Sequence, residues 1–186
     1  MSMNLLDIKK IELELSSDCN AACPGCARTF LDGTYEVKNI SFADVQRLFP
    51  TREYIDGKQF KICGVLGDPI VNSECLDILT YLAENGGYCS VSTNGSYNTA
   101  DWWTKLAHVS HVTNKVKVYF AVDGHKETNH IYRVNTKFNI IERNMEAYAN
   151  NGGKGVWIYI VFDHNEHELE TAKAHAQRLG FKFMVR

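Results

Sequence analysis

The sequence predicts an α/β fold built on a parallel sheet. Two kinds of segment alternate along the chain. One has the length of a strand and is either continuously apolar or alternates apolar and polar residues; the other is longer, and its apolar residues recur at helical spacing. Glycine, proline and asparagine separate the two kinds of segment. Such alternation is typical of strand–helix units with right-handed crossovers. The periodicity fits either a doubly wound sheet or a curved partial barrel.

Six segments have the pattern of strands. Residues 11–15 alternate apolar and acidic side chains, as in a half-buried strand. Residues 156–162 are continuously apolar, as in a parallel strand that is buried on both faces. The predicted strands span about 11–16, 59–66, 88–92, 116–122, 156–162 and 181–185.

Helical periodicity fills the intervals between the strands. Ser41 and Asp44 have the spacing of a capping box, and Asn165 and Glu168 resemble a second one. Gly180 has the place of a residue that ends a helix. The predicted helices span about 42–49, 73–85, 99–109, 138–150 and 165–179.

The composition is that of an ordinary globular protein, so we expect residues 1–186 to form one domain. A net charge of −2 gives no general attraction to nucleic acid or to anionic membranes. The first residues lack the apolar core of a secretion signal, and the longest apolar run is too short to span a bilayer. We therefore expect a cytoplasmic protein, in which six cysteines indicate metal binding or buried thiols and not disulfides.

Cys19, Cys23 and Cys26 stand out because they fall within eight residues, with the spacing C-x₃-C-x₂-C, directly after the first strand. Three thiolates on one loop can converge on a single inorganic centre. A tetrahedral zinc and a fully protein-ligated iron–sulfur cubane each require four ligands. Either a distant residue completes the set, or one metal position is left open for a substrate or cofactor.

Other polar residues follow the later strands, where ligands bind in parallel α/β folds. Turn geometry alone favours these residue types, so none of them is a site by itself. The four positions after strands two to five are Asp68, residues 93–95 (TNG), residues 123–124 (DG) and Asn165.

Taken together, these segments resemble the radical S-adenosylmethionine (radical SAM) superfamily. The C-x₃-C-x₂-C loop after residues 11–15 resembles its signature. Residues 63–70 (CGVLGDPI) resemble its Gly-Gly-Glu-Pro motif, and residues 92–95 (STNG) resemble its Thr-Asn-Gly motif. Residues 120–124 (FAVDG), with Arg133 downstream, resemble the strand-4 region of the branch that modifies peptides or matures cofactors.

The resemblance implies a partial (β/α)6 barrel of parallel strands, here five βα units and a sixth strand, that forms a single core domain. We expect this domain to be C-terminally short and to have no auxiliary-cluster domain. Cys19, Cys23 and Cys26 would hold three irons of a [4Fe–4S] cluster, and S-adenosylmethionine would chelate the fourth. One electron would then cleave the sulfonium to a 5′-deoxyadenosyl radical that abstracts a substrate hydrogen atom.

The implied cofactor site includes four further residues. Asp68 would lie near the methionine amino group, and Thr93 and Asn94 would line the same pocket. Arg133 would pair with the methionine carboxylate, or else it is a solvated surface arginine. Asn165 would reach the nucleoside, or else it caps a helix.

The resemblance assigns no catalytic side chain. It implies a low-potential electron donor such as flavodoxin or ferredoxin as a partner. The resemblance does not identify the substrate, but it favours a peptide or a cofactor precursor.

Three positions depart from the family pattern. Gly25 stands where an aromatic residue usually contacts the adenine, and Phe30 is the candidate to replace it. Asp68 is one methylene shorter than the usual glutamate, and Ala121 stands where a serine often helps hold the cofactor. These departures keep a second reading open, a zinc or iron–sulfur binding module without radical chemistry.

A thiol–disulfide enzyme that uses Cys23 and Cys26 is a third reading, but it leaves Cys19 unexplained. The other three cysteines, at 63, 75 and 89, are expected to be buried apolar groups. The histidines of the strand-4 and strand-5 loops are expected to be polar loop residues.

Overall fold

The computed structural model describes residues 4–31 and 33–186. Its strands form a single sheet in which every neighbouring pair is parallel and the spatial order follows the chain order. The two outer strands do not pair with each other in the described part of the chain. This open arrangement confirms the partial (β/α)6 barrel and excludes the doubly wound alternative. The strands are β1 (Lys10–Leu13), β2 (Gln59–Ile62), β3 (Tyr88–Thr93), β4 (Val116–Ala121), β5 (Gly155–Tyr159) and β6 (Lys182–Val185).

Helices follow the strands and cover one face of the sheet. Every predicted helix is present, and that of residues 138–150 has the predicted bounds. The capping box at Ser41 and Asp44 is confirmed, since each side chain accepts a hydrogen bond from the backbone N–H of the other. The helices are α1 (Ala27–Phe30), α2 (Phe42–Leu48), α3 (Cys75–Glu84), α4 (Ala100–Thr113), α5 (Asn129–Tyr132), α6 (Phe138–Asn150) and α7 (Leu169–Arg178).

Three strands, β1, β2 and β5, end at least three residues earlier than predicted. Beyond β2 and β5, side-chain carboxylates accept from the backbone donors. The N–H of Leu66 donates to the Glu14 carboxylate at 2.7 Å, beyond the end of β2. The N–H of Ile160 donates to Asp123 at 2.7 Å, beyond the end of β5. After β1 the chain turns toward residues 38–40, where the N–H of Ile40 donates to the carbonyl of Leu15. These segments form loops at the carboxyl end of the sheet instead of longer strands.

The second predicted capping box is wrong. Asn165 occupies the position before the short turn Glu166–Glu168, but its side chain makes no cap hydrogen bond. Its amide instead donates to the carbonyls of Asp123 at 3.0 Å and Ile160 at 2.9 Å, and accepts from the N–H of Phe162 at 2.7 Å. Fully buried Asn165 therefore ties the ends of β4 and β5 together.

The main core lies between the helices and the outer face of the sheet. Fully buried Trp103 of α4 packs against Phe120 of β4, with ring centroids 5.3 Å apart. Phe120 stacks on Phe181 at 5.5 Å, and Tyr148 of α6 meets both rings. Because aromatic side chains bury large apolar areas, this cluster fixes α4 and α6 on the sheet.

The opposite, concave face of the sheet carries the alternate residues of each strand, both polar and apolar. It lines a cavity of about 860 Å³ that reaches from Lys10 and Gln59 at the amino ends of the strands to Arg133 and Ile160 at the carboxyl ends. Parallel strands bring all their carboxyl ends to one edge, here called the rim. The loops that carry the predicted site residues leave from this rim.

No helix in the two described stretches is long and apolar enough to cross a bilayer.

Candidate cofactor site

The three cysteines lie on the rim, on the loop between β1 and α1. All are free thiols; Cys23 is buried, and Cys19 and Cys26 are partly exposed. The N–H of Cys26 donates to the carbonyl of Cys23 at 3.0 Å, which closes a turn before α1. Thr29 donates its hydroxyl to the same carbonyl at 2.9 Å. This turn holds the second and third cysteines close in space.

The base of the cysteine loop is fixed by contact with the loop that follows β2. The N–H of Asp68 donates to the carbonyl of Asp18 at 2.7 Å. Gly67 permits this approach, because a Cβ there would fall 2.0 Å from the carbonyl oxygen of Ser16. Only glycine leaves room for two backbones this close. The glycine of the second motif therefore positions the cysteine loop.

Asp68 lies below the rim and is buried. Its carboxylate accepts hydrogen bonds from the N–H groups of Ile70 at 3.2 Å and Asn94 at 2.8 Å, and from the Thr93 hydroxyl at 3.0 Å. No lysine, arginine or histidine forms an ion pair with it among residues 4–31 and 33–186. Burial raises the pKa of this carboxyl to about 6, against the opposing effect of the hydrogen bonds. Asp68 is thus a buried carboxylate that joins the loops after β2 and β3 without a cation beside it.

Asn94 connects this group to the first cysteine. Its side-chain amide lies 3.6 Å from the Cys19 sulfur and donates to Asn20 at 3.0 Å. Its oxygen accepts from the N–H and hydroxyl of Ser96. The amide is therefore oriented with its N–H₂ toward the sulfur, as a thiolate at that position would require.

Arg133 reaches the second cysteine from the opposite side of the rim. Its Nε donates to Asp123 at 2.6 Å, and its Nη1 lies 3.8 Å from the Cys23 sulfur. The arginine side chain is 15% exposed and the aspartate 0%. The reading of Arg133 as a solvated surface arginine is therefore wrong. The backbone agrees with this placement, since Ala22 of the cysteine loop donates to the carbonyl of Val134 at 3.0 Å.

In the metal-free protein the thiols of Cys19 and Cys23 have pKa values above that of an ordinary cysteine. Burial, together with the charge of Asp68, raises the pKa of Cys19 to about 12. Burial also raises the pKa of Cys23, although the Arg133 guanidinium acts in the opposite direction. Ligation of a metal by these sulfurs would release their protons.

The chemistry of the donor set fits an iron–sulfur cluster. Within the described ranges, no group of three His, Cys, Asp or Glu side chains is close enough together to hold a metal ion. The three thiols share one loop, and polar N–H groups face the sulfurs of Cys19 and Cys23. Thiolates are the usual ligands of such clusters, and N–H donors near the sulfurs are a usual feature of their surroundings.

An aromatic residue occupies the space next to Gly25, although the sequence has none in the motif. A Cβ on Gly25 would lie 2.9 Å from the hydroxyl oxygen of Tyr132. The Tyr132 ring packs on Phe162 at 4.6 Å, and Phe162 stacks on His164 at 5.2 Å. Phe30, the replacement that we predicted, is 76% exposed. Tyr132 was missed because α5 has only four residues and therefore no periodicity to detect.

Two predictions about the remaining side chains need correction. Cys63 lies just beyond β2, and its thiol donates to the Glu12 carboxylate at 3.0 Å on the wall of the cavity, so it is not merely an apolar filler. His125 is not a polar loop residue; it stacks on His175 at 5.7 Å and packs against Trp157. The expected burial of Cys63, Cys75 and Cys89 is confirmed.

The structure thus gathers the predicted site residues at one rim. Asn94 contacts the first cysteine, Arg133 contacts the second, and Asp68 with Thr93 supports Asn94 from below. Ala121 lines the cavity beneath them. Their contacts with a cofactor remain predictions.

Arg133 compensates the fully buried charge of Asp123, so replacing Arg133 should destabilise the folded protein. We expect Arg133→Gln to lower the free energy of unfolding by roughly 3 kcal/mol, because the Asp123 carboxylate would be left without its cation. Adding Asp123→Asn should restore part of the loss. Urea denaturation of the metal-free protein measures both. As a control, Arg47→Gln breaks an exposed pair with Asp44 and should change stability by less than about 0.5 kcal/mol. Equal losses for Arg133 and Arg47 would contradict the assignment.

Asp68 should make stability depend on pH. Its ordinary pKa of 3.8 applies to the unfolded chain, whereas the folded protein holds the proton up to a pH of about 6. The contribution of this group to the free energy of unfolding should therefore fall, by on the order of 3 kcal/mol, as the pH rises from about 4 to about 6. Urea midpoints over this range, compared between wild type and Asp68→Asn, isolate the effect from groups common to both. Parallel curves would contradict it.

The sequence matches no protein-family model and no curated protein. Solved structures do resemble it. The chain aligns with Streptococcus suis SuiB bound to S-adenosylmethionine at a TM-score of 0.74 and 12% identity, over 96% of this chain and 40% of SuiB. It aligns with anSMEcpe bound to the same molecule at a TM-score of 0.69 and 19% identity, over 96% of this chain and 51% of that one.

A third similar structure is the cobalamin-dependent S-adenosylmethionine radical enzyme OxsB. The TM-score is 0.54 and the identity 13%, over 86% of this chain and 26% of OxsB. The chain therefore spans about half the length, or less, of these three proteins. At such low identities the likeness concerns the fold, and the chain has the fold of the radical SAM core domain.

Proposed function

We propose that the chain is a radical SAM enzyme. In this proposal Cys19, Cys23 and Cys26 bind a [4Fe–4S] cluster whose open iron takes S-adenosylmethionine. When bound, the cluster would supply the electron that cleaves the sulfonium and yields a 5′-deoxyadenosyl radical for hydrogen abstraction. The observation that carries the proposal is a loop of three free thiols at the rim of a radical SAM fold, with Asn94 at the Cys19 sulfur and Arg133 at the Cys23 sulfur from two other loops.

The residues around the thiols have distinct tasks. The N–H₂ of Asn94 and the guanidinium of Arg133 face two of the sulfurs, where they would stabilise thiolate charge after metal binding. The Nε of Arg133 is committed to Asp123, which leaves the Nη groups to meet a second carboxylate. The methionine carboxylate of the cofactor has the charge and planar shape that these groups bind.

Asp68 provides the complementary charge. Its carboxylate forms no ion pair, and burial raises its pKa to about 6 although the hydrogen bonds and the charge of Arg133 act in the opposite direction. An ammonium group nearby would stabilise the ionised form. The methionine amino group is such an ammonium, so binding of the cofactor would favour the charged Asp68. With Arg133 on the other side, the rim offers opposite charges to the two ends of an amino acid.

Tyr132 is the residue that we assign to the adenine. It occupies the space beside Gly25, and its ring belongs to an aromatic group with Phe162 and His164. A flat aromatic surface suits a nucleobase, because base stacking on aromatic side chains is favourable and needs no sequence-specific contacts. The contact would thus come from the loop after β4 and not from the cysteine motif.

The substrate is the least determined part of the proposal. SuiB has been solved with its precursor peptide SuiA, whereas methylornithine synthase, a protein of similar fold, is named for a small molecule. We propose a peptide or a cofactor precursor as the substrate. The proposal also includes a cytoplasmic location, a flavodoxin or ferredoxin as electron donor, and action of the chain as one core domain.

Cluster binding can be tested with anaerobic iron–sulfur reconstitution. We expect about four irons and four sulfides per chain, and a change in the EPR signal of the reduced cluster when S-adenosylmethionine is added. Alanine at Cys19, Cys23 or Cys26 should abolish the cluster, because each would remove one of its only three protein ligands. Cys89→Ala, at a buried position in β3, is the control that should keep it. One bound zinc without labile sulfide would instead support the binding-module reading.

The assignment of Tyr132 predicts a selective loss of cofactor affinity. Tyr132→Ala should weaken S-adenosylmethionine binding about tenfold, since one base–aromatic stacking contact is worth about 1–3 kcal/mol. Tyr132→Phe should retain most of the affinity. Isothermal titration with the reconstituted protein gives the constants, and iron content shows that the cluster is intact. Phe30→Ala, at an exposed ring on the adjacent helix, should have no effect. Equal affinity of Tyr132→Ala and wild type would rule out this role.

A further inference from the structure

Two histidines pack face to face between α7 and the strand-4 loop, which comprises residues 122–137. His125 of this loop stacks on His175 of α7, with ring centroids 5.7 Å apart and ring planes within 7° of parallel. Trp157 of β5 and Phe138 of α6 pack against both imidazoles at steep angles. His175 is 7% exposed, and the side chain of His125 is 19% exposed. The two rings therefore meet in a site with little access to water.

Glu168, directly before α7, holds the same loop through its carboxylate. Its Oε2 accepts hydrogen bonds from the N–H of His125 at 2.9 Å and from the Thr128 hydroxyl, and it lies 3.6 Å from the His125 Nδ1. Against the effect of burial, these hydrogen bonds lower the pKa of Glu168, so the carboxylate stays ionised in mild acid. Together the imidazole stack and the Glu168 contacts dock α7 on the strand-4 loop.

The strand-4 loop connects this docking to the cysteine rim. The carbonyl of His125 accepts from the N–H of Asn129 at 2.9 Å, and the carbonyl of Asn129 accepts from the N–H of Arg133 at 2.9 Å. The Asn129 side chain also accepts from the N–H of Asp123 at 2.9 Å. His125 and Arg133 thus belong to one hydrogen-bonded segment, and the guanidinium at its end faces Cys23.

The surroundings of the pair oppose a charge on both rings. Burial lowers the pKa of His175 below its ordinary value of 6.5, and the charges of Arg178 and His125 act in the same direction. The Glu142 carboxylate lies 4.0 Å from the His175 Nε2, beyond hydrogen-bond distance. Two stacked imidazolium ions would repel each other in a site with so little water. The charged and titratable groups that face the pair are Glu142 and Glu146 from α6, and His167, Glu168 and Arg178 from α7 and the turn before it.

From this geometry we propose that the stacked histidines are a pH-sensitive contact, which releases α7 from the strand-4 loop in mild acid when both rings are protonated. Undocked His175 takes up a proton more readily than docked His175, so acid favours the undocked state. The contribution of His175 to docking is complete above a pH of about 6.5 and is lost as the pH falls below that value. Release of α7 would also loosen the segment that carries Arg133.

Hydrogen exchange followed by mass spectrometry measures this docking in the 186-residue chain. The two conditions are a pH of about 7.5 and a pH of about 5.5, on either side of the range in which histidine titrates. Peptides from α7 and from residues 125–133 are compared with peptides from α3, which correct for the chemical effect of pH on exchange. The experiment needs neither iron nor S-adenosylmethionine, so its outcome is independent of the proposed function.

Two variants remove the proton-binding ring. His175→Phe keeps an aromatic ring between Trp157 and Phe138 but binds no proton, and His175→Gln is a second variant that does not titrate in this range. His108→Gln, at an exposed position of α4, is the matched control.

We expect the protection of α7 and of residues 125–133, relative to α3, to fall about tenfold between the higher and the lower pH in the wild type. His108→Gln should show the same fall, and neither His175 variant should show it. Relative protection of α7 that does not change with pH, or an equal fall in His175→Phe and wild type, would overturn the inference. Loss of protection in α7 alone, with residues 125–133 unchanged, would overturn the connection to the rim.

An NMR titration of the wild-type chain tests the same contact without a variant. The ring signals of His175 should titrate below the pH of about 6.5 that is typical of histidine. The indole N–H signal of Trp157 should shift with the same midpoint, because this ring packs on both imidazoles. A His175 midpoint at or above the typical value, or a Trp157 signal that does not follow it, would overturn the inference.

Discussion

The ion pair between Asp123 and Arg133 is the interaction on which the rim depends. The Asp123 carboxylate has no exposed surface, and a buried charge of this kind is tolerated only with a partner of opposite charge and further hydrogen bonds. It receives both, from the Arg133 Nε and from the N–H of Ile160. Its backbone carbonyl also accepts from Asn165. One residue at the end of β4 therefore fixes the end of β5 and the following loop, and it orients the guanidinium that faces Cys23.

A second buried carboxylate, Asp68, organises the other half of the rim by different means. It has three hydrogen-bond donors but no cation, so it connects the loops after β2 and β3 while its own charge is poorly compensated. On one side of the cysteine loop the fold thus places the ion pair of Asp123 and Arg133. On the other side it places Asp68, a carboxylate that has hydrogen bonds but no ion pair. In the proposed function a zwitterionic ligand would complete this arrangement, because its cationic end would stabilise the charge of Asp68 and its anionic end would accept from the Nη groups of Arg133. This asymmetry is the reason that we propose an amino-acid moiety, and not a simple anion, as the ligand of the rim.

The elements that could be predicted from the sequence are those specified locally. The capping box of Ser41 and the apolar stripe of residues 138–150 each depend on side chains a few positions apart, and both helices appear as predicted. Strand ends were predicted less well, because distant side chains such as Glu14 take over backbone donors there. Asn165 has the pattern of a cap and yet serves as a tie between two strands, which only the three-dimensional neighbourhood decides. Cys63 looked apolar in a strand, but the register places its thiol beside Glu12.

Gly25 and Tyr132 show why this chain resembles the radical SAM family less closely in its cysteine motif than in its fold. A motif compares positions within one loop, and by that measure the loop lacks the aromatic residue that the family usually has. The fold, however, brings residue 132 against residue 25, because Ala22 is hydrogen-bonded to the segment that follows Arg133. An aromatic surface is needed at a place in space and not at a place in the chain, so a neighbouring loop can provide it. A site of this kind would retain its geometry while its contiguous motif weakens.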